Sequence, residues 1–227
     1  MTPAPPGAMT RQELLVALAA MVLVLPEDRP RLVAVDGMSC VGKTMLVTEL
    51  VPVLEAAGRP VVRVSYDDFH HPREVRHRRD RLSAEGYLAD AFDPASLRTL
   101  VIEPLARGER TVRTASFDLA VDAPVQADPV PVPDGAVVLV EGSFVLGPEV
   151  GADWDLGVLL VADPSAVLER GLVRDSDLGT AERVRELYLR RYLGAWSLYE
   201  ERHDPWSRAD VVVDLTDPLA PRLLSGP

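Results

Sequence analysis

The sequence predicts an α/β fold: a mainly parallel sheet covered by helices on both faces, in three layers. Short, continuous apolar runs recur along the chain, as in "RLVAVD" at 31–36, "AVVLVEG" at 136–142 and "WDLGVLLVAD" at 154–163. Such runs mark strands buried on both faces. Stretches with helical spacing lie between them, the alternation that builds a parallel sheet. A glycine turn follows the first run directly, where a strand must hand over to a helix.

Taken in order, residues 1–9 hold three prolines and no pattern, and read as a disordered tail. Residues 10–227 read as a single domain. The apolar stretch Leu14 to Leu25 is 12 residues long, short for a bilayer span. With Thr10 as cap and Glu13 three residues on, it reads as a buried helix. Strand 31–36 is followed by a helix over 43–57, with Gly58 as its stop. "PVVRVSYDD", 60–68, is a second strand ending in carboxylates. Residues 93–108 read as a helix opened by Asp93, and "TVRTASFDL" as strand. The proline-rich stretch 121–135 is a loop, with strands of the same sheet expected on either side. Two helices, Pro164 to Leu178 and Ala181 to Glu201, precede a last strand in "ADVVVDLTD". The region about 170–195 reads as a small helical lid.

The stretch "GMSCVGKT" fits the spacing G-x-x-x-x-G-K-[ST] through Gly37, Gly42, Lys43 and Thr44. The expected strand before it and helix after it supply the context of a P-loop. Backbone amides across Ser39, Cys40 and Val41, and on through Met45 at the helix start, would form an anion cradle. Glycines let the main chain approach phosphates. Lys43 is a mobile point charge, and it is the only lysine among 24 Lys and Arg residues. Where a planar guanidinium fork would not fit, this arginine-based sequence keeps an ammonium. The Thr44 hydroxyl suits Mg²⁺. The expected cofactors are therefore ATP and Mg²⁺, on a P-loop NTPase fold.

Acids end the neighbouring strands on the edge where α/β sheets place ligands. Asp67 and Asp68 close the second strand, and Glu141 closes "VVLVE". One such acid can serve the metal, and another can accept a proton from an attacking hydroxyl. Arg170 and Arg174 lie four apart on one expected helix and read as lid cations that neutralise charge in phosphoryl transfer. Arg183, Arg185 and Arg191, interleaved with Glu182 and Glu186, read as a salt-bridged surface helix. The basic run 73–81, "REVRHRRDR", faces either an anionic substrate or solvent. Trp196, Tyr199 and Trp206 read as packing residues.

Composition narrows the function classes. A formal net charge of -11 and a pI near 4.8 argue against a general nucleic-acid or membrane-surface partner. A single cysteine gives no disulfide framework, so a reducing cytoplasm is the expected location. The chain has no asparagine, and its one lysine sits in the P-loop, so the guanine-reading N-K-x-D of a GTPase switch cannot exist. The expected partner is a small-molecule substrate. Self-association is left open, since nothing in the sequence decides it.

The combination resembles the uridine kinase and phosphoribulokinase group of P-loop kinases over roughly residues 31–217. "SYDDFHH" is similar to that group's strand-end motif, "VVLVEGSFVL" to its "EG" strand, and "RGLVRD" with "ADVVVDLTDP" to its lid and last strand. The resemblance implies an ATP-dependent kinase passing the γ-phosphoryl group to a hydroxyl of a small molecule, with uridine or cytidine favoured. A kinase for another small hydroxyl compound, or an idle nucleotide-binding relative, are the alternatives. It implies Asp67 as general base, Glu141 and Thr44 at the metal, and Lys43, Arg170 and Arg174 on the phosphates. Phe69, Tyr87, Phe117 and Asp118 fall at substrate-side positions. Two departures stand out: Tyr87 lies where uridine kinases carry an aspartate, and no His or Arg follows "SFDLAVDAP".

Overall fold

The computed structural model describes residues 7–225. A six-stranded sheet forms its centre, from β1 (Arg31–Gly37), β2 (Val61–Ser65), β3 (Val137–Gly142), β4 (Leu156–Val161), β5 (Val211–Asp214) and β6 (Arg222–Ser225). The spatial order is β6-β5-β4-β1-β3-β2, all parallel except β6, which runs antiparallel beside β5. The mainly parallel α/β/α architecture read from the sequence is the one observed.

β1 lies between β3 and β4, with Val33 opposite both Leu139 and Leu156. Every residue of β1, β3, β4 and β5 is buried, which explains why these runs are continuous rather than alternating. β2, at the edge, alternates as a half-exposed strand should.

The principal helices are α1 (Arg11–Leu23), α2 (Lys43–Ala56), α3 (Ala84–Asp90), α4 (Pro164–Arg174), α5 (Ala181–Leu187) and α6 (Leu193–His203). α1 carries the expected capping box: Glu13 N–H donates to the Thr10 hydroxyl at 3.2 Å, and Thr10 N–H donates to the Glu13 carboxylate at 2.7 Å. It packs on α2, and Arg11 pairs with Glu49 at 2.7 Å. Of the expected tail, residues 1–6 lie outside the described residues. Ala8 bridges to Arg222, and Met9 N–H donates to the Pro221 carbonyl at 2.9 Å.

Three expected elements come out differently. The "TVRTASFDL" segment gives only Thr111–Val112 and Phe117–Asp118, in separate two-stranded ribbons with Val130–Pro131 and Ala123–Pro124. These ribbons lie outside the main sheet, because prolines remove the donors that a longer ladder needs. The 93–108 helix is interrupted by a π turn at Arg98–Ile102. The last helical stretch runs from Ala181 to His203, but a second π turn, Tyr188–Tyr192, joins α5 to α6.

Asp36, in β1, is fully buried and accepts four hydrogen bonds. They come from the N–H of Gly37 (2.7 Å), Phe144 (2.8 Å) and Leu146 (3.0 Å), and from the Tyr199 hydroxyl (2.7 Å). Burial pushes this carboxyl's pKa up, and the donated bonds oppose that. Phe144 holds a positive φ of 71°, a costly conformation for a non-glycine residue. The bond to Asp36 and ring packing against Tyr199 at 5.0 Å hold it there. Asp36→Ala strands three buried N–H groups, so unfolding free energy should drop by roughly 3 kcal/mol or more, read from urea denaturation midpoints.

Candidate active site

The loop from Gly37 to Thr44 joins β1 to α2 at the C-terminal edge of the sheet. Gly37 is required by close approach: a Cβ there would lie 2.7 Å from the Leu160 carbonyl oxygen. Gly42 caps α2 with a φ of 113°, left-handed backbone that a side chain disfavours. Cys40 holds a φ of 61°, so the loop stores strain of its own.

The Lys43 ammonium folds back over the loop. It donates to the carbonyls of Gly37 (2.7 Å) and Met38 (3.0 Å) and to the Ser143 hydroxyl (3.2 Å). Burial pushes its pKa down, while the charges of Asp67, Asp36 and Glu141 push it back up. Those acids therefore act on the one lysine from three strand ends.

Beside it, the Thr44 hydroxyl donates to the Glu141 carboxylate, 3.1 Å from Oε1. Glu141 is buried, and Arg63 of β2 reaches it at 3.2 Å while also donating to the Thr48 hydroxyl at 3.0 Å. Asp67 and Asp68 follow β2 in a 3₁₀ turn, both exposed. The Asp68 carboxyl is pushed up by partial burial and by the neighbouring charges of Asp67, Glu141 and Asp118. Four carboxylates thus crowd one rim. The oxygen-only pair of Thr44 and Glu141 fits Mg²⁺, which takes one or two carboxylates and fills its remaining positions with phosphate and water.

Arg174, at the end of α4, comes to the loop from above. It donates to the Ser39 hydroxyl at 3.4 Å, pairs with Asp175 at 2.8 Å, and donates to the Tyr188 hydroxyl at 3.0 Å. Tyr188 in turn donates to Asp175 at 2.7 Å and lies 3.0 Å from the Cys40 sulfur. One phenol therefore ties the P-loop to the helix pair above it. Gly171 makes room for that ring: a Cβ there would lie 2.2 Å from it. Arg170 is placed differently. Its guanidinium donates to the carbonyls of Leu215 (2.6 Å) and Thr216 (2.7 Å), and reaches the Val41 carbonyl at 3.4 Å. It braces the loop against the exit of β5 instead of pointing a free charge at it.

Of the residues expected at the substrate, Phe69 is fully buried, so its ring supports the turn from within the core. Phe117 is likewise buried, and Asp118 caps its own hairpin by accepting Ala120 N–H at 2.8 Å. The hairpin is docked to the acid turn by Ser116 N–H donating to the Asp68 carbonyl at 2.9 Å. Tyr87 sits in an aromatic group with Phe92, Phe144 and Tyr192. Met45 is exposed at the start of α2.

Much of the basic run 73–81 is spent on acids: Arg76 pairs with Asp122 at 2.7 Å, and Arg78 and Arg79 both pair with buried Asp90. Arg191 departs from the surface role read from the sequence. Arg190 makes the surface i,i+4 pair with Glu186 at 2.9 Å, whereas Arg191 is 5% exposed. Arg191 lies seven residues after Val184 and three after Tyr188, the spacing that places it on their buried face. Asp36, Arg63, Ser143 and Tyr188 also escaped the sequence reading; each acts through a contact across more than 70 positions, and Tyr188 adds the nearby partners Arg174 and Asp175. Tyr188→Phe removes the hydroxyl shared by Arg174, Asp175 and Cys40, and should lower the melting temperature by several degrees, about 1 kcal/mol, by calorimetry.

No protein-family model matches the chain. No curated protein matches it either. Solved structures do. A possible uridine kinase from Bacillus stearothermophilus superposes with a TM-score of 0.71 at 21% identity, covering 88% of this chain and 97% of that one. A candidate fructose transport system kinase from a Silicibacter species gives 0.70 at 24%, covering 83% and 95%. A D-glycerate 3-kinase from Cryptococcus neoformans gives 0.59 at 15%, covering 88% and 94%. In architecture the chain has the three-layer α/β fold of the uridine kinase-like and related P-loop kinases.

Proposed function

We infer that the protein is an ATP-dependent kinase that transfers the γ-phosphoryl group to a hydroxyl of a small molecule. The observation that supports this most is the convergence on Lys43. The ammonium lies over the loop, the Thr44–Glu141 pair lies beside it, and Asp67 is close enough to act on its charge. A P-loop alone binds nucleotide. A P-loop flanked by a separate exposed carboxylate can also activate an acceptor.

In this reading the amides from Ser39 to Met45 and the Lys43 ammonium hold the polyphosphate. Thr44 and Glu141 hold Mg²⁺, which neutralises phosphate charge when bound. Asp67 takes the proton from the acceptor hydroxyl as the new O–P bond forms, and ADP leaves with the electron pair of the broken bond. Arg174, fixed by Asp175 and Tyr188, offers positive charge to the transferring group. Arg170 positions the loop through its carbonyl contacts. Arg63 keeps Glu141 turned toward Thr44. Nucleosides such as uridine and cytidine are the acceptors that the sequence resemblance favours.

Two variants and one panel test the inference. ADP release should depend on an added acceptor across a panel of nucleosides, sugars, sugar phosphates and hydroxy acids. Asp67→Asn should cut turnover by roughly 100- to 10,000-fold while ATP still binds. Lys43→Met should weaken triphosphate affinity by about 100-fold in a fluorescent-nucleotide titration. Full triphosphate affinity in the Lys43 variant, or turnover that ignores Asp67, overturns the assignment.

A further inference from the structure

The proposed mechanism uses none of the buried arginines Arg31, Arg59 and Arg191, and the first two are salt-bridged, to Asp155 and Glu27 respectively; Arg191 is different. It is 5% exposed, yet forms no salt bridge among the described residues. Its one hydrogen bond there is donated to the Arg81 carbonyl, at 2.7 Å. Burial pushes the guanidinium's pKa down, and the charges of Arg76 and Arg81 push the same way. It stays ionised regardless, because arginine does not give up its proton in proteins. A buried charge without a counterion is costly, and such charges are ordinarily paired. The ring of Tyr87, with the guanidinium carbon 4.8 Å from its centroid, offsets part of that cost.

Its position is specific. From Arg191 the path runs over Tyr87 to Phe92 (5.8 Å), from Phe92 to His70 (4.4 Å), and from the His70 ring nitrogen to the Asp67 carbonyl oxygen (2.8 Å). His70 and Tyr87 both feel Asp67 and Arg191 together. The uncompensated cation and the candidate base therefore bound the same region. Arg81, exposed and without a salt bridge among the described residues, adds positive field there. Within a chain of formal net charge -11, a concentration of unpaired positive charge on the acceptor side is selective.

We propose that Arg191 is the anion-binding residue of the acceptor subsite, and that the acceptor is a small hydroxyl compound carrying its own phosphate or carboxylate. This deepens the kinase reading and rests on it. The acceptor's anionic group pairs with the Arg191 guanidinium, and its hydroxyl is presented to Asp67. A neutral nucleoside leaves the guanidinium unpaired and forfeits that binding energy.

The test uses two matched pairs, ribose with ribose 5-phosphate and glycerol with D-glycerate, so that phosphate and carboxylate are distinguished. The full chain is first saturated with ADP to fill the P-loop, and each compound is titrated calorimetrically. ATP turnover is then measured with each. At least one anionic member should bind and turn over about 100-fold better than its neutral partner. Arg191→Gln should raise KM for that acceptor about 100-fold with a much smaller change in kcat. Arg191→Lys, which keeps the charge, should recover part of the loss. ADP affinity reports whether each variant is folded, and a misfolded glutamine variant leaves the lysine variant and the wild-type pairs to decide. Anion binding that needs Arg191 without any turnover supports the subsite and sinks the kinase reading. Turnover with no preference for the anionic member, or no anion binding to the ADP-bound protein, overturns the subsite.

Discussion

One buried carboxylate organises the sheet edge on which everything else depends. Asp36 receives the first amide of the P-loop, two amides of the turn after β3, and the hydroxyl of Tyr199 from α6. It thereby fixes three segments from distant parts of the chain against one point. The turn after β3 carries Ser143, which meets Lys43, and follows directly on Glu141, which meets Thr44. Were that turn free, neither contact would have a defined geometry. The acid is costly to bury, but its surroundings offer only donors, so removing it costs more than keeping it. The strained backbone at Phe144 is sustained by the same point.

A second constraint operates above the loop. Tyr188 collects Cys40, Arg174 and Asp175 around one hydroxyl, and Gly171 is small because the phenol ring occupies its side-chain space. The P-loop therefore does not stand alone as a flexible anion nest. It is braced from one side by Arg170 on the carbonyls after β5, and from another by Tyr188. In the proposed kinase, such bracing holds the amides and the lysine in place before any phosphate arrives, and preorganisation of this kind is where electrostatic catalysis gains most.

The sheet was legible because buried parallel strands write themselves as unbroken apolar runs, and "VAVDG" and "VLVEG" do so. The P-loop was legible because its spacing is dictated by phosphate geometry. Glu141, Asp67 and Asp68 could be placed on one rim because strand ends in such sheets share an edge. What stayed hidden were side chains whose meaning depends on partners far away in sequence. Asp36 looks like any acid after a strand until Phe144 and Tyr199 arrive. Arg170 and Arg174 share a helix and a spacing, yet one turns to carbonyls and the other to Ser39. The 111–118 segment had the composition of a strand, but prolines stand opposite Thr111 and Phe117 and cut its pairing short.

The π turn at Tyr188–Tyr192 works as a splice in one continuous rod. At 3.6 residues per turn, one extra residue would swing everything beyond it by about 100°, and the wider π turn takes that residue up instead. Val184 and Leu187 are buried ahead of the π turn, and Ala195, Trp196 and Tyr199 past it. One continuous rod thereby serves the P-loop through Tyr188 and Asp36 of β1 through Tyr199. Deleting one residue inside the π turn would leave an ordinary helical turn, with both ends of the rod still seated.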